Sequence, residues 1–273
     1  MKVKSSELKC RARKSMEGHY GFGAGISAVL LGLICVLMVI YLVVQQLISI
    51  YLYAVVKVSA YSPQGQLIIF VTSMALTLII FAPIFLLEVG GQKVFLDICR
   101  GKKPELMQLF YGFTHGILKF LGLYFLMILI TLVMEIPYLI VTAAAAVTGF
   151  IPLMVVLMVI MIAVSMVAIM IVSLGIGQAI FLMIDEPDKG VFQCIRESWS
   201  MMRGNKRRLF YVQISFCGIM ILGYTSLIGF LWVLPYVYCT YIHFYLDLKE
   251  KNSQTKETIG AGQEYGPYTS QSV

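Results

Sequence analysis

A chain of 273 residues that is 59% hydrophobic and only 13% charged departs far from a soluble domain, in which about a quarter of residues are charged. Its net charge of +7 would suit a nucleic-acid partner, yet membrane proteins also gather basic residues in their cytoplasmic loops. Cys10, Cys35, Cys99, Cys194, Cys217 and Cys239 form no C-x-x-C and no close pair, so neither a disulfide framework nor a zinc site is signalled.

The apolar residues fall in runs, and about 20 of them in a helix cross a hydrocarbon core of roughly 30 Å. The first run, residues 23–44, follows a basic segment, as the core of a signal peptide would. It is longer than the roughly 7–15 residues of such a core and no A-x-A site closes it, so it reads as a retained span. Gln45 and Gln46 interrupt it, and an aromatic stretch to Val56 is expected near the interface. Gly21 and Gly25 make a G-x-x-x-G that permits close helix contact. The G-F-G-A-G run that contains them has no preceding strand and no following Lys-Ser, so it is not a phosphate loop.

A second span covers residues 67–87 and is closed by Glu88. A third, residues 117–141, holds Glu135 and Pro137; a fourth runs from Pro152 to Ile184. The fourth is too long for a straight crossing, and S-L-G-I-G-Q at 173–178 offers a kink. The last apolar region, 209–246, is nearly two spans long and G-Y-T-S-L-I-G at 223–229 supplies a turn. The reading is therefore all-α and polytopic, with six transmembrane helices in a membrane domain of residues 1–251. Residues 252–273, polar and rich in Gly, Ser and Thr, are expected to be a disordered cytoplasmic tail. All but one of the 21 Lys and Arg fall on one side of the six-span plan, Lys57 being the exception. The positive-inside bias then places both termini in the cytoplasm of a plasma-membrane protein, and an even span count requires the same.

Between spans four and five, Asp188 can cap a helix over residues 189–203, on which Val191, Ile195, Trp199 and Met202 share one face. Phe192 widens that face. This is an amphipathic helix for the cytoplasmic interface, with Trp199 as its anchor and turned from water, its stripe facing either lipid or the chain's own bundle. Arg203, Lys206, Arg207 and Arg208 stand at its end as candidate contacts to anionic lipid headgroups. Because that basic cluster is pinned at the bilayer, a nucleic-acid partner is not expected. The same plan occurs before spans one and three: a short helix-prone stretch, a glycine (Gly18, Gly116, Gly204), then two spans. Three helix-plus-hairpin units would result.

Glu135 is the candidate intramembrane polar site. A carboxylate in a span often marks a proton or ion path, but beside Pro137 its expected role is to bond a backbone group that the proline frees or to reach interfacial water. His19, His115 and His243 have no partners at metal-ligand spacing, so interfacial hydrogen bonding is their expected role. No catalytic set, cofactor motif or metal site is visible, and an enzyme is not expected.

The Asp185-x-Pro187 start, the R-E-S-x-x-M-M-x-G-N-K core at 196–206, and the late P-Y (235–236) and F-Y-x-x-L (244–248) elements carry a resemblance. With G-H-Y-G at 18–21 and R-G-K-K-P-E-L at 100–106, the chain resembles a bacterial family of integral membrane proteins, domain of unknown function 975. The resemblance implies a bacterial plasma-membrane protein and brings no reaction or ligand. The expected function is a non-enzymatic structural, assembly or envelope-maintenance role. A small transporter or permease is the alternative, and a membrane-embedded lipid enzyme comes third.

Overall fold

The computed structural model describes residues 4–58, 62–148, 151–225 and 227–264, and every regular element among them is helical. Helix α1 (Ser5–Met16) leads into α2 (Tyr20–Ala54), which pairs with α3 (Pro63–Cys99). Ser62 caps α3, its Oγ accepting the Gly65 N–H at 3.1 Å, and Pro63 takes the first turn, where its missing N–H costs nothing. A 3-10 turn (Leu106–Phe110) and α4 (Tyr111–Thr114) follow and lie back against α3. Helices α5 (Ile117–Thr148) and α6 (Ile151–Ile176) form a second pair. After a break come α7 (Ala179–Asp185), α8 (Val191–Met201) and a third pair, α9 (Lys206–Thr225) with α10 (Leu227–Glu264).

Four helical stretches among the described residues are long and apolar enough to cross a membrane: Tyr20–Ala54, Gln64–Cys99, Ile117–Met134 and Val155–Asp185. Six were expected from sequence, and four of the described stretches meet the criterion of length and composition. The uncharged part of α9 begins only after Lys206, Arg207 and Arg208, which leaves less than the roughly 20 residues of a full crossing. The apolar half of α10 is rich in tyrosine and holds Pro235.

Two sequence boundaries move. Glu88 does not end the second apolar helix: α3 continues to Cys99, because Gln92, Lys93 and Asp97 lie on helix turns that pack against other elements. The expected tail from residue 252 meets a helix that runs on to Glu264, since K-E-K-N-S-Q-T-K-E contains no breaker. The expected kink in the fourth span is present, as α6 stops at Ile176 and Gly177 and Gln178 separate it from α7.

The connected core lies at one end of the molecule, and Leu52, near the far end of α2, is buried apart from it. Leu8, Met16, Val89, Phe95, Leu123, Leu182, Met202, Phe216, Phe244 and Tyr245 are among the fully enclosed side chains. They come from α1, the C-terminal part of α3, the start of α5, α7, the α8 end, α9 and the middle of α10. Away from that end the same helices expose apolar side chains along their length, including Val39, Leu47, Ile79, Val133, Val159 and Leu222. At about 1.5 Å per residue α2 and α3 are each roughly 50–55 Å long, well beyond a 30 Å hydrocarbon layer. Their surplus length is the part that joins the packed end.

Small residues set the closest approaches there. A Cβ on Gly90 would overlap the backbone carbonyl of Leu109, and one on Gly112 would overlap that of Leu86. Gly23 on α2 faces Met16, Phe95 and Pro235, with room for a Cβ only at 2.9–3.2 Å from them. The expected contact pair Gly21 and Gly25 instead looks into open space. Helix α2 turns its Gly23 face inward, so the packing glycine is the one midway between the two. Gly18, Gly116 and Gly204 each take positive φ (81°, 73° and 73°) just after a short helix, the left-handed stop that glycine allows without a Cβ penalty.

Candidate functional site: a charged end held by ion pairs

The packed end carries nearly all of the chain's described charge, and three of its carboxylates, Asp97, Asp185 and Asp247, have buried side chains. Asp185, at the end of α7, has a side chain only 4% exposed. It accepts from Arg100 at 2.7 Å, from Lys249 at 2.9 Å and from the Tyr245 hydroxyl at 2.8 Å. One carboxylate thereby joins the ends of α3 and α7 to the middle of α10. The hydrogen bond to Asp185 raises the Arg100 pKa, which keeps the guanidinium charged at any working pH. Asp247 on α10 is paired with Arg208 of α9 and with Lys251 at 2.9 Å. Burial alone would favour its neutral acid, but the hydrogen bonds from Arg208 and Lys251 outweigh that and hold the carboxyl below its usual range. Asp97 on α3 takes Lys93 at 3.0 Å, one helical turn away.

A second set sits on the α7–α8 connection. Lys189 bridges Glu186 (2.7 Å) and Glu197, and these two carboxylates push its pKa up to about 12. The Lys189 bond lowers the Glu186 pKa in turn. Lys119 reaches across to the Pro187 carbonyl. Helix α8 starts one residue after Gly190, whose N–H bonds the Gln193 side chain at 3.2 Å, so the expected cap at Asp188 is not used. Its enclosed face is centred to one side of the expected stripe, of which Met202 is fully buried. Cys194, Ser198 and Met201 are buried, Val191, Ile195 and Trp199 are half-buried beside them, and Phe192 is 76% exposed. The Ser198 hydroxyl donates to the Gly175 carbonyl at 2.7 Å, and the Trp199 ring lies flush against Gly175, where a Cβ would collide with it. Trp199 therefore packs on the chain's own α6, with the Lys206 ammonium 3.4 Å over its ring.

The expected site residues are not gathered into one place. Arg203 and Arg207 are exposed at the end of α8 and the start of α9. Lys206 is committed to the Trp199 ring and Arg208 to Asp247. Glu135 falls on α5, and its side chain lies outside the described residues. The histidines sit at the charged end: His243 Nε2 is 2.9 Å from Ser15 Oγ, and His115 stacks on Tyr111 with centroids 4.5 Å apart. Among the described residues no group of His, Cys, Asp and Glu could hold a metal ion.

Sequence reasoning missed Asp185, Asp247 and Glu88. Glu88, on α3, stands near Gln92 and near Tyr238 of α10. The spacings Lys93–Asp97 and Asp247–Lys251 were visible as (i, i+4) pairs. Nothing local links Arg100 to Asp185, 85 residues later.

Fold and charged end together define an all-helical protein with four helices long and apolar enough to cross a membrane. The sequence matches the family described as "Protein of unknown function (DUF975)" over residues 1–252, and the chain belongs to that family. No curated protein and no solved structure matches it.

Proposed function

We propose that the chain is an integral plasma-membrane protein of six spans, both termini cytoplasmic, with a non-enzymatic structural, assembly or envelope-maintenance role. The fifth and sixth spans are α9 and the apolar half of α10, joined at the turn where Gly223 meets the Phe230 backbone. Three of the four glycines of positive φ, Gly18, Gly116 and Gly204, support a plan of three units, each a short helix, a glycine and a hairpin. Arg203 and Arg207 are free to meet anionic headgroups from the cytoplasmic face.

The observation that carries this reading is how the charged groups are used. Asp185, Asp247, Lys189 and their partners bond one helix to another. A catalytic or transport site needs such groups aimed at a ligand instead. One observation favours a transporter as the second reading: Glu88 stands within an apolar helix against Tyr238.

Uptake of protons or small solutes into vesicles holding the purified protein separates the two. For a structural protein, Glu135→Gln and Glu88→Gln leave any flux at the level of the parent and of empty vesicles, because an amide replaces the carboxylate's hydrogen bonds. A flux that the parent shows and either variant abolishes, with folding intact, establishes the transporter and ends the structural reading.

A further inference from the structure

The three short segments that precede the hairpins do not bury themselves alike. Helix α1 encloses Leu8, Ala12 and Met16, and α8 encloses Cys194, Ser198 and Met201. The middle segment, the 3-10 turn plus α4, encloses only Gly112. Its large apolar side chains face outward: Leu106, Met107 (80% exposed), Phe110 and Phe113, continued by Leu118 on α5 (80% exposed). Exposed apolar residues at this density mark a contact surface.

Where the segment sits says what it contacts. Gly90 meets Leu109 and Gly112 meets Leu86, backbone against backbone, so the segment lies beside residues 86–90 of α3. That is the level at which the apolar run of α3 gives way to Glu88, Gln92 and Lys93. Helix α3 continues to Cys99, so after leaving it the chain doubles back by about 14–20 Å, at 1.5 Å per residue, toward the hydrocarbon layer. Lys102 and Lys103 are exposed just before the segment, and Glu105 is its single acid. Met107, Phe110, Tyr111 and Thr114 line an open groove of about 660 Å³ along it. Basic residues followed by apolar ones at the depth of the interface match an anionic leaflet, with headgroups at the lysines and acyl chains against the side chains.

We propose that residues 102–118 are a re-entrant wedge seated in the cytoplasmic leaflet, its apolar face and groove filled by phospholipid acyl chains. This rests on the membrane reading above and adds to it. The wedge, rather than the basic stretch at 203–208, is the chain's main grip on the inner leaflet. The middle unit is thereby the one that engages lipid through its short segment, while α1 and α8 serve the protein core.

Tryptophan quenching in vesicles tests this with the full chain. The sequence has two tryptophans, so Trp232→Phe leaves Trp199 as a fixed background and Met107→Trp adds one reporter at an exposed position. In anionic phospholipid vesicles brominated near the headgroup end of the acyl chain, the added emission should fall to half or less. Bromine near the chain terminus should quench it less, and aqueous iodide should leave it unchanged. Added emission that iodide quenches and bromine does not would overturn the wedge. So would emission that neither quenches, which means that a second copy or another protein covers the surface. Trp232 in the parent is the separate control: half-exposed on α10, it should be quenched by bromolipid. Failure there sinks the sixth span, whatever the Met107→Trp result.

Discussion

Gly90→Val should release the segment 102–114 from α3 and lower the stability of the whole packed end. Two effects oppose one another at this position. Any side chain in place of a mid-helix glycine gains up to about 1 kcal/mol of helix propensity. Against that, a Cβ would lie inside the Leu109 carbonyl, and a backbone atom cannot rotate aside as a side-chain terminus can. Overpacking costs about 1–3 kcal/mol when side chains can adjust, and more here. The clash wins, and valine adds two further methyls. Thermal unfolding in detergent should move down for Gly90→Val, and limited proteolysis should cut near Lys102 and Lys103 where the parent resists. Gly25→Ala, on the open side of α2, is the matched control and should be neutral or slightly stabilising. Equal stability of Gly90→Val and the parent would contradict the backbone contact.

Removing the Asp185 carboxylate has the second large effect. Breaking a buried ion pair by deleting one partner costs about 3–5 kcal/mol, because the other charge is stranded. In Asp185→Ala the groups left behind are Arg100 and Lys249, about a third exposed, and both can recover part of their hydration. The loss should therefore fall near the low end, about 3 kcal/mol. Arg100→Gln should cost less, since Asp185 keeps Lys249 and the Tyr245 hydroxyl. That order, Asp185→Ala well below Arg100→Gln below the parent, is what unfolding midpoints should return. The reverse order would mean that Arg100, and not the carboxylate, organises the junction.

The helices were readable because apolar runs, glycines and charge breaks are local features. The kink at Gly177 and the stops at Gly18, Gly116 and Gly204 all follow from residues within one or two turns of the event. What escaped depends on which side of a helix meets protein. In lipid both sides are apolar, so hydrophobic periodicity does not separate them, and the packed face is marked by small residues instead. Gly90, Gly112, Gly175, Cys194 and Ser198 carry the closest contacts, while Phe192, on the apolar stripe of α8, points away. Glu88 looked like the end of a span because a charge in an apolar run usually is one. Its partner Tyr238 lies on another helix and had no local sign. Asp185 and Arg100 joined only when the ends of α3 and α7 were brought against the middle of α10.

On the proposed topology the packed, ion-paired end is the cytoplasmic one, and α9 and α10 cross the membrane as the last pair. Reporter fusions after Lys57, after Thr148 and at the C-terminus test it directly. A reporter active only outside the cytoplasm should work at Lys57 and Thr148 and stay silent at the C-terminus. Activity at the C-terminus, or silence at either of the other two sites, would contradict the account.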